Sequence, residues 1–563
     1  MTLSYGRELQ VPDYARSLEF LMAGEHDYCS ASVGGNTRRY HGLLVHRGTV
    51  YLSGLDELVN GIRISAQQYE GADSDSGLAH LFAFSLYPPC WVYHLGGTVV
   101  RKTITYGQGI AITYAVTGEA EVRVRPLVTD RPVNQLVRDP RPVCETGHGS
   151  VRWSETVLEG DIPFTSDPAT YWNVWYGRER ERGYEAVEDL FSPGYFSGSV
   201  KDGSVTLRCF RNNQSPLKAG PVRSPCSLRE WLDFAPDIFC HRDEIFAGFH
   251  WFRESWGRDS AISVTGLLIE REKKEAAQAV LRRLAQKTEG GVVPNRFPDN
   301  YRSSDASLWF IRALGRYRRR WGDDRFISDM RPVVAEILGK YPASPVATLD
   351  HDLISVIPQS TWMDTAFTPR EGKTVEINAL WIQALDEAES MGIIPPVSVE
   401  SAKEAFRKFW NEKDRCFYDR IDPVDPSIRP NQVIALAYGL ADPEQASAAL
   451  ETVTRTLLTP YGLRTLAPAD PRYHGHFAGD ISYHNGCVWP WLTGFYVEAL
   501  IRNGMDRARI APLLSPILAH IREGGAGYIS EIFDGDPPFC PQGCIAQAWS
   551  VAEIARACRM VFP

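Results

Sequence analysis

Residues 359–381 read QSTWMDTAFTPREGKTVEINALW, and this stretch decides how the rest of the chain is parsed. A carboxylic acid, Asp364, follows an indole and a thioether, Trp362 and Met363, and a second acid, Glu376, stands just before an apolar run at 378–388. Apolar neighbours keep water from a carboxyl and raise its pKa, the condition a general acid needs. A helix cap, or a pair with Arg370, is the purely structural alternative for Asp364. What favours the chemical role is another acid in a comparable setting far along the chain, Glu531 in YISEIFDGDPP.

The run that this stretch leads into is apolar on nearly every face, and so are 260–270, 306–317, 431–440, 488–501 and 545–558. Alternating with them are amphipathic segments with one charged face, at 228–239, 273–286, 326–341, 399–410, 443–458 and 509–522. A helix apolar all round must be enclosed, whereas an amphipathic one tolerates water on one side. The alternation therefore predicts six inner helices within six outer ones, an (α/α)6 toroid over 226–563. The loops entering the inner helices carry WFRESWGRD, NYRSSD, the 364–376 stretch, SIRPN, GDISYHNG and EIFDGDPP. In such a ring they open at one end, gathering Trp, Arg, Asp, Glu and His around one pocket with helix amino termini directed into it.

Residues 1–225 follow a different period. The runs 99–106 and 110–116 alternate β-branched or aromatic residues with polar ones across a short glycine-containing turn, which predicts a hairpin, and similar runs lie at 42–46, 121–126, 151–157 and 204–210. The expectation is an antiparallel β-sandwich domain. Within it, GGNTRRYHG at 34–42 combines permissive glycines with Arg38 and Arg39, which either hold a carboxylate, reach the second domain or remain solvated. The Asn-, Ser- and Pro-rich segment 211–227 is expected to be a linker.

Composition narrows the class. A chain of 563 residues with 44% hydrophobic and 23% charged content is a multidomain globular protein, and its net charge of −9 argues against a nucleic-acid partner. The amino terminus lacks a charged segment followed by an apolar one, and no window approaches the roughly 20 apolar residues that span a bilayer, so no membrane association and a cytoplasmic location are expected. Eleven scattered cysteines suit reduced thiols. Fifteen tryptophans, many beside Asp, Arg or Gly, suggest flat apolar platforms with polar rims, as sugar sites use.

Two acids on opposite walls of an aromatic cup are the equipment for breaking a glycosidic bond: one protonates the leaving oxygen while the other deprotonates water. Asp364 is assigned as the acid and Glu531, in a more polar setting with Ser530 and Asp534, as the base. Trp256, Arg258 and Asp259 suit a fixed sugar ring, or else Arg258 and Asp259 form an ion pair with a cap. Trp362, Glu376, Asn378, His484 and Trp489 are the remaining residues expected to contact substrate, and Asp305 is expected to cap the second inner helix. Metal ligation by His474, His476, Asp480 and His484 is an alternative, but their spacing fits no compact ligand pattern, so neither metal nor other cofactor is expected. A noncatalytic polysaccharide-binding protein would need no two-acid pocket.

The motifs WFRESWGRDSAIS, DASLWFI, TWMDTAFTPREGKTVEINALW, RPNQVIALA, TPYGLRTLAPADPRY, SYHNGCVWPWLTGFY and ISEIFDGDPPFCPQGCIAQAWSVAEI resemble those of archaeal and bacterial glycogen debranching enzymes, the amylo-α-1,6-glucosidase group, glycoside hydrolase family 133. TRRYHGLLV and EDLFSPGYF are similar to that family's β domain. The resemblance implies a glucoamylase-like (α/α)6 glucosidase domain that inverts the anomeric carbon and hydrolyses α-1,6 branch points of glycogen or a limit dextrin. It maps the family's acid and base onto Asp364 and Glu531, and the glucose-binding W-x-R-D pattern onto Trp256, Arg258 and Asp259. Met363 stands where glucoamylases carry a Glu after the motif tryptophan, so Asp364 is not assigned from glucoamylases alone. The chain has no room for the glucanotransferase domain of large eukaryotic relatives, which implies a separate transferase acting upstream or direct use of short branches. An exo-acting α-glucosidase on other α-gluco-oligosaccharides is the neighbouring alternative.

Overall fold

The computed structural model describes residues 2–4, 16–72, 75–217, 227–523 and 527–562. The chain divides into two compact units, one comprising Met1–Trp231 with Arg522–Gly527 and the other Leu232–Ile521 with Tyr528–Pro563. Of the expected linker, 218–226 lies outside the described residues.

The first unit is an antiparallel sheet domain. Its predicted hairpin consists of β2 (Thr98–Gly107) and β3 (Gly109–Pro132), paired from Gly107 opposite Gly109 to Val99 opposite Thr117. β1 (Thr49–Val59) and β4 (Val187–Arg211) both pair with β3 and extend this hairpin. At 24 and 25 residues, β3 and β4 far exceed an ordinary strand. β3 pairs β2 from Gly109 to Thr117 and β1 from Val122 to Pro132, while pairing β4 along most of its length with register shifts after Val116 and Val124. The long strands thus pass from one set of partners to another, and fifteen strands join one hydrogen-bonded network. Arg38, in the glycine-rich segment, is buried and its Nε donates to Glu19 at 2.8 Å, so it holds a carboxylate and is not a solvated loop residue.

In the second unit the predicted alternation appears as helices. The apolar runs become α1 (Gly257–Val264, extended by a π turn at Thr265–Ile269), α2 (Ala306–Trp321), α3 (Val375–Ser390), α4 (Gln432–Ala437), α5 (Thr493–Arg502) and α6 (Ala548–Val561). Every residue of α1 and α4 is buried. Each of the six packs on the next in chain order, and α6 packs back on α1, which closes the series into a ring. Amphipathic helices pack outside it: Lys274–Gln286 on α2, Asp324–Lys340 on both α2 and α3, and Val399–Phe406 on α3. The segment expected to be one outer helix at 228–239 divides into Leu228–Phe234 and a 3-10 turn, Ala235–Ile238, which carries a proline in its first turn.

Ring closure brings backbone against backbone. Gly266, in the π turn after α1, faces α6 so closely that a β-carbon there would collide with the Ala552 carbonyl. Backbone cannot move aside as a flexible side chain can. Gly266→Ala is therefore expected to destabilise the protein by about 1–3 kcal/mol, read as a lower denaturant midpoint at unchanged m value.

Candidate active site

A cavity of about 150 Å³ lies at the amino-terminal end of the inner helices. Trp256, Arg258 and Asp259 reach it from the start of α1, Trp362 and Asp364 from the loop before α3, and Tyr483, His484 and Trp489 from the loop before α5. Glu531, Gln547 and Trp549 reach it from the approach to α6, and Ala247 and Phe252 from the strands preceding α1.

Short strands that no periodicity announces hold two of these loops together. Val488–Trp489 is a two-residue strand flanked by Gly462–Arg464 on one side and Ile532–Phe533 on the other, with Val488 opposite Phe533. Trp489 and Glu531 are thereby fixed on neighbouring segments of one small sheet. Glu531 accepts hydrogen bonds from the Tyr483 hydroxyl and, at 2.9 Å, from the Cys544 backbone N–H. Both groups are donors, a pairing that suits the ionised, acceptor-only carboxylate. Gly543 is required beside it: its φ is +67°, and a β-carbon there would strike the Glu531 carboxylate. Burial, and then the Glu531 charge, push the Tyr483 phenol well above its usual range, so it stays a donor.

Asp364 has different surroundings. Its side chain is 37% exposed, open to the cavity on one side and hemmed in by protein on the others, and burial raises its pKa while Arg258 pulls it down. The Arg258 Nη1 donates to Asp364 Oδ2 at 3.2 Å, its Nε donates to both Asp305 oxygens at 2.8 Å, and its Nη2 reaches the Ser360 carbonyl at 3.3 Å. Arg258 is therefore not paired with Asp259. Nor does Asp305 cap α2: it stands at the cap position without accepting from the helix, and Ser303 Oγ takes the Ala306 N–H at 3.2 Å. The cause is Arg258, a buried cation whose demand for acceptors outweighs that of a helix N–H.

Asp259, released from that pair, faces Gln547, whose Nε2 donates to it at 3.4 Å. Burial first, with Glu531 nearby, pushes its pKa up to about 7 against the opposing pull of Arg258. Among the described residues of the cavity wall, four polar atoms are buried without a hydrogen-bond partner: Trp256 Nε1, His484 Nε2, Gln547 Oε1 and Trp549 Nε1. Burial, reinforced by Arg429, Arg258 and Arg370, holds His484 well below its usual pKa and hence neutral. Its ring stacks on Trp489, the centroids 5.4 Å apart.

Two residues expected at the substrate stand behind the cavity wall. Arg370 clamps Glu376 and, through Nε at 2.7 Å, Asp419; Asn431 donates to Asp419 at 2.8 Å and accepts from Trp362 Nε1 at 2.8 Å. This chain of polar contacts fixes the indole next to Asp364. Asn378 is filled by the Ile354 N–H and by the Ile354 and Thr374 carbonyls, so its amide ties the preceding strand to α3. Trp489 Nε1 donates to the Tyr483 carbonyl at 2.8 Å, leaving its ring to line the cavity. The histidine series separates: His484 is enclosed in the wall, while His476 is 64% exposed and lies 3.4 Å from Asp534. The reading of the residues overlooked Gln547, Trp549 and Phe252; a glutamine opening an otherwise apolar helix was the available signal.

Known proteins bear on this arrangement. The family profile described as "Amylo-alpha-1,6-glucosidase" matches residues 237–556, and that described as "Glycogen debranching enzyme N terminal" matches 27–206. A glycogen debranching enzyme of Saccharomyces cerevisiae is 24% identical over 373 residues, which are 44% of this chain and 24% of that protein, so the match spans about a quarter of that relative's length. Among solved structures, an uncharacterized conserved protein from Thermus thermophilus is 14% identical with a TM-score of 0.48, covering 58% of this chain and 99% of the other. A GH63 mannosylglycerate hydrolase from the same organism, in complex with Tris and D-glycerate, is 14% identical with a TM-score of 0.47, covering 59% and 100%.

The raised pKa of Asp259 links stability to pH. Its carboxyl ionises near 3.8 in the unfolded chain and near 7 in the folded one, so between those values the folded chain holds a proton that the unfolded chain has lost. Stability attributable to this group therefore falls as pH rises through that window. Asp259→Asn removes the titration, and denaturant unfolding at acid and mildly alkaline pH should show a smaller fall for the variant, by up to about 4 kcal/mol.

Proposed function

We propose that this chain, which belongs to the amylo-α-1,6-glucosidase family, hydrolyses α-1,6-linked glucose at branch points of glycogen or a limit dextrin, with Asp364 as acid and Glu531 as base. The observation that carries this reading is that both carboxyl groups face one cavity in unlike surroundings. Asp364 is raised by burial and open to a ligand, as a proton donor must be. Glu531 is held by two donors, as a carboxylate that draws a proton from water must be.

A sugar ring fits the rest of the wall. Indole faces pack against its apolar CH edges, and the orphaned atoms of Trp256, His484, Gln547 and Trp549 are two donors, an acceptor and a neutral imidazole nitrogen for hydroxyls. The one arginine of the cavity wall is already committed to Asp305 and Asp364 and Glu531 is an acceptor-only carboxylate, so no free cation is offered to an anionic co-substrate such as phosphate and water is the favoured nucleophile.

In the reaction so derived, Asp364 passes its proton to the glycosidic oxygen as the bond to the anomeric carbon breaks. Glu531 takes a proton from the water that attacks the opposite face, which inverts that carbon. The ring of six inner helices, read as an (α/α)6 toroid of the glucoamylase-like type, supplies the end at which both acids meet. A cytoplasmic location and a separate glucanotransferase that shortens outer branches complete the proposal. Since one glucose-sized cavity recognises the departing sugar more than its linkage, exo-hydrolysis of other α-gluco-oligosaccharides is the second reading.

Isomaltose, panose, maltose and a branched limit dextrin, with products followed by NMR, distinguish the two. The debranching reading expects glucose from the α-1,6 substrates, released first as the β-anomer; release from maltose alone favours the second reading, and release from none removes both. Asp364→Asn and Glu531→Gln should each lower kcat by at least about 10³-fold with little change in melting temperature.

A further inference from the structure

One guanidinium serves two acids in this site, and it serves them unequally. The Arg258 Nε contacts both oxygens of Asp305 at 2.8 Å, whereas Asp364 receives a single contact from Nη1 at 3.2 Å. Asp305 is 1% exposed and also accepts from Ser303 Oγ at 2.6 Å, so its oxygens meet only donors, at the amino terminus of α2 where the helix dipole favours negative charge. Asp364 has the weaker hold on the same cation and the opening to the cavity.

We propose that Asp305 is a positioning residue for the reaction inferred above: it draws the Arg258 charge to itself, so that Asp364 is held in place by the guanidinium without being stripped of its proton. A carboxyl beside an unshared arginine has its pKa lowered by about 1–3 units, which would leave it ionised and useless as an acid at neutral pH. Two carboxyl groups flanking one cation instead favour a state with one proton between them. That proton belongs on the acid with the longer contact, facing the ligand. Burial of Asp364 and the charge of Asp305 act in this same direction, and the Arg258 charge opposes them. The other ionisable groups around the cavity are Asp259 beside Arg258 on α1, Tyr483 and His484 from the loop before α5, and Glu531. Asp305 is not part of the cavity lining, so it acts on Asp364 from behind the wall, through the shared Arg258 and by its own charge.

The test replaces Asp305 and reads Asp364. In protein labelled with 13C at the aspartate carboxyl carbon, with the Asp364 signal assigned by its loss in Asp364→Asn, Asp305→Asn should lower the Asp364 titration midpoint by about 1 unit or more. Arg258→Met should raise it, and Asp305→Glu, which keeps the charge, should restore most of the wild-type value. In kinetics, Asp305→Asn should move the basic limb of the kcat/KM profile to lower pH and leave the acidic limb in place. An Asp364 titration that is unmoved or raised in Asp305→Asn overturns the proposal even where Arg258→Met shifts it; should Asp305→Asn fail to fold, Asp305→Ser, which also removes the charge, gives the same reading. Titration needs no substrate, so an enzyme that hydrolyses no α-glucan would refute the proposed reaction while leaving this result readable.

Discussion

Helices that are apolar on every side are stable only when something encloses them, and in this protein they enclose one another. α1 and α4 have no exposed residue, and each inner helix packs on its neighbours until the last meets the first. Closure consumes the apolar surface without needing another layer at the centre, and the amphipathic helices cover what remains. It also fixes the chemistry. The amino-terminal ends of α1 and α6 and the loops before α3 and α5 line one cavity. Polar residues far apart in sequence meet there.

A site assembled in this way must keep buried charges satisfied. The chain Glu376–Arg370–Asp419–Asn431–Trp362 does so behind the cavity, every member partnered, and ends on the indole that shields Asp364. Arg429 performs a similar task for the next loop, donating to the Thr465 and His484 carbonyls and to Asn485. Polar networks of this kind are costly when incomplete and rigid when complete. On the inner surface of the wall four buried polar atoms of the described residues have no partner, on the side from which a ligand rich in hydroxyls would approach.

The two acids differ through their neighbours and not through their own chemistry. Glu531 is met by a phenol and a backbone N–H, Asp364 by an arginine already engaged elsewhere, and Asp259 by an amide. Three carboxyl groups in one cavity thus stand in three environments, the condition that the acid and base roles proposed for Asp364 and Glu531 require.

Much of this was legible in the residues. The change of period from two to 3.6 separated the sheet domain from the helices, and the alternation of helix types gave the ring's order, because periodicity is a local property that packing only has to ratify. Asp364, Glu531, Trp256, Arg258, Asp259, Trp362, His484 and Trp489 all reach the cavity. Glu376 and Asn378 do not, although they open the helix that follows the Asp364 loop, because a hydrogen-bond partner such as Arg370 or the Ile354 backbone is settled in three dimensions. Nor could sequence tell that Arg258 would turn from adjacent Asp259 to Asp305, that β3 would change partners midway, or that a two-residue strand at Val488–Trp489 would bring Glu531 into register. Local pattern determined which elements form and which faces they bury. Which charged groups share a cation was left to the tertiary structure, since a buried ion pair is selected by geometry and desolvation among residues that the chain itself keeps far apart.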